Sequence, residues 1–261
     1  YTCENRPMDI DLFTFRPEEG DGYFTLVGTP PIETADTSLS QNIIFLLGNS
    51  TTMIGNKLNQ SKAAIHLALM HLSEKDSFNI FIVNANLDTW SNSIVPATPV
   101  NIQEAQAFVD EVEVASGNRI DNGILHALLD LRDSSVISSI VVFCDGRSPL
   151  DPFEIEKLNT AKTGIFFIAL GDDVDRVRLD ATAALNYGFV EYISREHILS
   201  TKMLEVFQRI KTPILKELDI GFDDPVVHSL YPEKFPAVYS GSDFVVSGRY
   251  QLSGLATILL N

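Results

Sequence analysis

The chain has 261 residues, 45% of them hydrophobic, and a formal net charge of −16. That much apolar content supports a sizeable core and excludes a disordered chain, in a length that suits one large domain or a medium domain with a small companion. The acidity repels phosphate backbones and anionic lipid, and no run of Lys or Arg reverses it locally, so neither nucleic acid nor a membrane surface is an expected partner.

From the N-terminus, Met8 to Pro30 has β-type content on either side of a Glu-Glu-Gly-Asp-Gly turn, with Asp9–Phe15 and Tyr23–Val27 as its strands. Ile43–Leu47 is wholly apolar, as a strand covered on both faces must be. Asn56–Lys75 follows at helical spacing (Leu58, Ile65, Leu69, Leu72), then a strand at Phe78–Val83 and a weaker antiparallel edge strand within Leu87–Val95. Helices are expected near Asn101–Val114 and Asp121–Arg132, a third buried strand at Ile140–Phe143, and a helix at Pro152–Lys162 with Pro152 in its first turn. A strand at Ile165–Leu170, a helix at Val174–Leu185, a short strand at Phe189–Ile193 and an amphipathic helix at Thr201–Leu215 complete the alternation. Such alternation implies an α/β fold, a Rossmann-like, mainly parallel sheet with helices on both faces. Beyond it, Asp243–Tyr250 and Ala256–Leu260 read as strands. The expected organisation is an N-terminal β segment (1–38), an α/β domain (39–217) and a C-terminal β segment (218–261) that packs with the first.

Cys3 and Cys144 are too few for a disulfide scaffold or a zinc cluster. Cys144 reads as a buried free thiol, and Cys3 is left open between free, bridged and lipid-modified. No stretch approaches the roughly 20 apolar residues of a membrane span, no signal peptide is visible in YTCENRPMD, and the missing initiator Met suggests a fragment or processed product.

In an open parallel sheet, ligands bind beyond the carboxyl ends of the strands, where strand order reverses. The loops after the apolar runs carry Gly48-Asn49-Ser50-Thr51-Thr52-Met53, Ser116-Gly117-Asn118-Arg119 and Asp145-Gly146-Arg147: hydroxyls, an amide and a carboxylate. FLLGNSTTMIGNKL, SGNRIDNGILHAL and FCDG resemble the three loops of von Willebrand factor A (vWA) domains. LSEKDSFNIFIVN, DGYFTLVGTPP and GSDFVVSGRY resemble the branch that holds inter-α-trypsin-inhibitor heavy chains and their bacterial relatives.

The resemblance implies a metal-ion-dependent adhesion site built from Asp-x-Ser-x-Ser, a Thr and a later Asp. Ser50 and Asp145 match it, Thr52 keeps a hydroxyl in place of the second Ser, Asn118 stands for the Thr, and Gly48 replaces the first Asp. Mg²⁺ demands oxygen ligands in near-octahedral geometry, so losing a carboxylate removes a full charge from its shell. Asn118 retains a carbonyl oxygen and Asp121 lies close in sequence, but neither replaces Gly48 in place. A degenerate site is therefore expected: Ser50, Thr52, Asn118 and Asp145 around a weakly bound divalent cation or none, with a partner's acidic residue as one way to complete the shell.

The resemblance also implies a non-enzymatic protein-interaction or adhesion module, extracellular, at the cell surface or periplasmic. The alternative is a purely structural domain of a larger surface or envelope protein. A nucleotide enzyme lacks support: no GxGxxG or GxxxxGK[ST] follows the first strand, and Gly171-Asp172-Asp173 reads as a strand-ending turn. Ser50 sits in no GxSxG elbow, and His66 and His71, five apart, are poorly spaced for chelation. Trp90 is assigned to core packing, and the glycosylation triplets at Asn49 and Asn59 are of a kind that arises often by chance.

Overall fold

Five apolar runs form the parallel centre of a seven-stranded sheet in the computed structural model, which describes residues 9–29, 40–133, 135–194, 199–211, 213–215, 220–222, 227–232, 238–239, 243–251 and 258–260. The strands are β3 (Gln41–Gly48), β4 (Ser77–Val83), β7 (Ile137–Cys144), β8 (Gly164–Leu170) and β9 (Val190–Ile193). They stand in the order β4-β3-β7-β8-β9, all parallel. β5 (Leu87–Thr89) and β6 (Val95–Pro96) both run antiparallel to β4. The chain leaves β3 for β4 on one side and later returns to β7 on the other, so strand order reverses between β3 and β7.

Side chains of β3 alternate between two cores. Ile44 and Leu46 join a cluster with Phe81, Val142 and Phe167 and with helices α3 (Ile120–Asp130), α4 (Pro152–Leu158) and α5 (Arg176–Leu185). Phe45 points to the other face, where it stacks on Phe207 of α6 (Leu199–Lys211) at 6.1 Å between ring centroids. Helices α1 (Asn56–Met70) and α2 (Pro99–Asp110) pack against each other. Capping sets several ends: Thr98, Asp151 and Asp175 accept backbone N–H bonds at the starts of α2, α4 and α5, with Pro99 and Pro152 in the first turns.

Several elements differ from expectation, each for a local reason. α1 stops at Met70, not Lys75, because the buried Asp76 carboxylate accepts from Ser73 N and Oγ and folds the segment into a turn. The expected Leu87–Val95 strand is two strands, since buried Asn79 binds Ser91 N, Ser91 O and Ser93 O and draws the intervening residues into a bend. Trp90 lies there flat on Phe78, 5.1 Å between centroids and 7° between planes. α4 ends at Leu158 because Asn159 is drawn inside, bonding Thr163 N and O and Asn186 Oδ1. α6 ends at Lys211, and Pro213–Leu215 is a strand (β10), as Pro213 lacks the N–H a helix needs.

By internal contacts the chain divides into two compact units, Leu39–Gln208, and Tyr1–Ser38 with Arg209–Asn261. In the second, β1 (Asp9–Phe15), β2 (Gly22–Thr29), β14 (Phe244–Tyr250) and β12 (Val227–Tyr231) form an antiparallel sheet in the order β1-β2-β14-β12, so N- and C-terminal flanks pair directly. Phe24, Leu26, Phe244 and Val246 face its buried side. β10 pairs with β13 (Val238–Tyr239), and β11 (Ile220–Phe222) with β15 (Ile258–Leu260). Cys3, and residues Ala256 and Thr257 of the last expected strand, lie outside the described residues.

Candidate functional site

The site grows from the ends of β3, β4 and β7. Past Gly48 the chain does not turn away at once: Asn49 N donates to Val83 O at 3.2 Å, and Ala115 N donates to Asn49 O at 2.8 Å. Ser50 forms an isolated parallel bridge to Ala115. The Asn49 side chain is turned inward, donating to Glu113 O at 2.7 Å and accepting from Asn84 Nδ2 at 3.2 Å. Asn84 in turn accepts on its carbonyl from Arg119 N at 3.0 Å. One buried asparagine pair thus binds the first loop, the end of β4 and the start of α3. Gly117 has φ +98°, and a Cβ there would lie 2.4 Å from Ala85 N, so the approach of this loop to β4 requires glycine.

On this frame the expected residues fall into two pairs. Ser50 Oγ and Thr52 Oγ1 are hydrogen-bonded at 2.7 Å, with Ser50 buried and Thr52 exposed on the 3-10 turn Thr51–Met53. Asn118 Nδ2 donates to Asp145 Oδ1 at 3.4 Å, and Ser148 Oγ donates to Asn118 O at 3.2 Å. Among the described residues no hydrogen bond joins the pairs. Gly48 lies between: a Cβ on it would sit 2.9 Å from Ile120 Cδ1 and 3.4 Å from Phe143 O, so the start of α3 and the end of β7 border the missing side chain.

Asp121 does not reach this group. Its carboxylate is held by Arg119, whose Nε and Nη2 both donate to it at 3.1 Å. Asp145 is 2% exposed; Oδ1 also accepts Arg147 N at 3.2 Å, while Oδ2 has no hydrogen-bond partner and lies 3.9 Å from Arg147 Nε. Arg147 spends its outer nitrogen on Asp173. Arg147 was not singled out from the sequence, and Asn49 only as part of a glycosylation triplet. Asn49 is the filler of the Asp-x-Ser pattern and Arg147 follows the Asp-Gly pair, so position in the motif was the available signal.

As a Mg²⁺ shell the set is incomplete. It offers two hydroxyl oxygens and one carboxylate, the Asn118 amide presents its NH₂ to that carboxylate, and a guanidinium stands nearby. Among the described residues no group of three or more His, Cys, Asp or Glu is placed to hold a metal. Cys144, next to Asp145, is inert: burial, above all, pushes its thiol up to about 12. The glycosylation triplet at Asn49 is internal, its asparagine 4% exposed, whereas Asn59 is on the surface.

A family model of the von Willebrand factor type A domain matches residues 41–192, more than half of the chain. The chain belongs to the von Willebrand factor A family. Domains of this family are typically non-catalytic interaction modules and commonly bind divalent metal. This vWA chain is 25% identical over 275 residues to inter-alpha-trypsin inhibitor heavy chain H2 of Sus scrofa, the match covering 97% of this chain and 28% of that one. It is 27% identical over 236 residues to heavy chain H1 of Mesocricetus auratus, covering 85% and 26%. The chain thus spans about a quarter of the length of these relatives. In fold it is similar to a von Willebrand factor type A protein from Catenulispora acidiphila, with TM-score 0.75, 11% identity, and 97% of this chain and 67% of that one covered. No helix among the described residues is long and apolar enough to cross a membrane.

Proposed function

We propose that this chain is a non-enzymatic interaction module of vWA type that presents the loops 48–53, 116–121 and 145–149 to a protein partner, with Ser50, Thr52, Asn118 and Asp145 as a degenerate divalent-cation site. The observation that carries this reading is the buried Asp145 carboxylate, one oxygen of which lacks a hydrogen bond, at the strand end where the order reverses. A buried acceptor of that kind is costly unless a cation or donor meets it, and the hydroxyl pair Ser50–Thr52 follows the neighbouring strand of the same crevice. The absent carboxylate at Gly48 makes the site weak.

One observation favours the second reading, a structural domain with an idle rim: Arg147 Nε at 3.9 Å supplies Asp145 with a counter-charge from the chain itself. Calorimetric titration with Mg²⁺, Mn²⁺ and Ca²⁺ separates the two. The interaction reading expects a weak exothermic or endothermic isotherm, with a dissociation constant on the order of a millimolar, and a higher melting temperature with the cation. A flat titration with no change in melting temperature would favour the structural domain. ATP and NAD should give no signal; heat with either would point to an enzyme. The likeness to inter-alpha-trypsin inhibitor heavy chains also supports placing the protein outside the cytoplasm, at a cell surface, secreted or in a periplasm. Labelling of intact cells by a membrane-impermeant reagent tests that placement.

A further inference from the structure

Next to the rim the surface opens into a cavity of about 500 Å³, within the size range of ligand pockets. It shares Thr52 with the candidate cation site and is otherwise separate. The turn before α1 supplies Ile54, the start of α1 supplies Lys57 and Gln60, the loop after β7 supplies Arg147, and the residue after β8 is Gly171. No acidic side chain is among the described residues that line it. In a chain with 35 Asp and Glu against 19 Lys and Arg, a cavity whose charged walls are one lysine and one arginine is a local reversal of sign.

The two cations are not equivalent. Arg147 is bonded to Asp173 and lies near Asp145, so its charge is largely matched. The Lys57 ammonium makes no hydrogen bond or ion pair with any described residue; its carbonyl alone is engaged by a side chain, accepting from Ser61 Oγ at 3.0 Å. It is half-buried and lies along Gly171, where φ is +110° and a Cβ would come within 2.9 Å of Nζ. The ammonium is therefore held against backbone at the cavity wall, so part of the cost of ordering a long side chain has already been met in the free protein. α1 carries neither an acidic residue in its first turn nor a side-chain cap, so nothing in that turn neutralises the charge, and the uncapped N–H groups add to the positive potential.

We infer that this cavity takes a carboxylate side chain of a protein partner, anchored by Lys57, with the Gln60 amide as a second donor and the exposed Ile54 as an apolar contact for the neighbouring partner residue. The inference rests on the interaction-module reading above, but it needs no metal. One positive charge unmatched among the described residues suits a monoanionic carboxylate; a dianionic phosphate would meet one lysine and the nearby carboxylates of Asp145 and Asp173.

The test is binding of acetyl-Leu-Glu-amide and acetyl-Leu-Gln-amide to the 261-residue chain, read from the backbone NMR shifts of Lys57, Gln60 and Gly171, with Mg²⁺ and with EDTA. The Glu peptide should bind at least about tenfold more tightly than the Gln peptide, the loss expected for one charge-assisted hydrogen bond, and equally with and without metal. Lys57→Gln should erase the preference. No shifts with either peptide, equal binding of both, or a Glu preference that survives Lys57→Gln would overturn the inference. So would inorganic phosphate displacing the Glu peptide at equal concentration. A Glu preference seen only with Mg²⁺ would overturn it too, while leaving the cation-linked reading of the rim standing.

Discussion

Asp145 directly follows β7 with 2% of its surface exposed, and its two oxygens meet different surroundings. Oδ1 accepts from Asn118 and from Arg147 N, while Oδ2 meets only the Arg147 guanidinium, too distant for a hydrogen bond. Gly48 explains part of this. Where the vWA pattern has a carboxylate, this chain has a hydrogen, and Ile120 Cδ1 lies 2.9 Å from where a Cβ would begin. Cys144, one residue before Asp145, is also buried, and a prediction attaches to it. The unfolded chain releases the thiol proton near pH 9.0, and the folded chain keeps it to about 12. The folded state therefore holds the extra proton between those values, and Cys144 lowers stability as pH rises through that window. At pH 8 a thiol reagent such as dithionitrobenzoate should leave Cys144 unmodified in the native protein and modify it promptly in denaturant. Rapid modification of Cys144 under native conditions, located by peptide mass, would contradict the burial.

At the scale of elements, the five apolar strands, all six helix starts to within two residues, and the strands β2 and β14 follow from periodicity and turn residues alone. Periodicity works where a segment is apolar on two faces or one stripe, because burial then leaves few alternatives. It fails where one polar side chain overrules the pattern. Asp76, Asn79 and Asn159 each sit inside, each binds backbone groups of a neighbouring turn, and each ends or splits an element whose apolar spacing would have continued. The short strands β10 to β13, two to five residues long, carry no period to read. The site shows the same division. The positions of Ser50, Thr52 and Asp145 beside one another at the sheet's edge were legible because they sit at fixed offsets after strands, and Asn118 because it lies just before a helix. Arg147 and Lys57 were not, because what matters about them is a contact with a distant loop: Asp173 in one case, Gly171 in the other. Asn79 offers the element-scale prediction. Asn79→Ala removes two donations and one acceptance that hold the β5–β6 bend, together with an acceptance from Ile80 N, and should cost about 1–3 kcal/mol in chemical denaturation. An unchanged denaturation midpoint would mean the bend is held by the Trp90–Phe78 stack instead.

For the whole molecule, the consequence of topology is that segments far apart in sequence share one crevice. β3 and β7 are adjacent and parallel, so Gly48-to-Thr52 and Asp145-to-Ser148 leave the sheet at the same edge, and α3 brings Asn118 and Ile120 in beside them. The net charge of −16 disfavours phosphate backbones and anionic lipid, and protein is the partner class proposed. The vWA fold is thus present, and its proposed cation shell is short of one carboxylate at Gly48. The most direct measurement is the melting temperature of Gly48→Asp, alone and with Ile120→Val to make room for the new side chain, in EDTA and in about 5 mM Mg²⁺. If Ser50, Thr52 and Asp145 are a cation site lacking that one ligand, Mg²⁺ should raise the melting temperature of at least one variant by about 2–4 °C, clearly more than for the unaltered chain. Equal melting temperatures with Mg²⁺ and EDTA in both folded variants would show that these residues do not form a cation site.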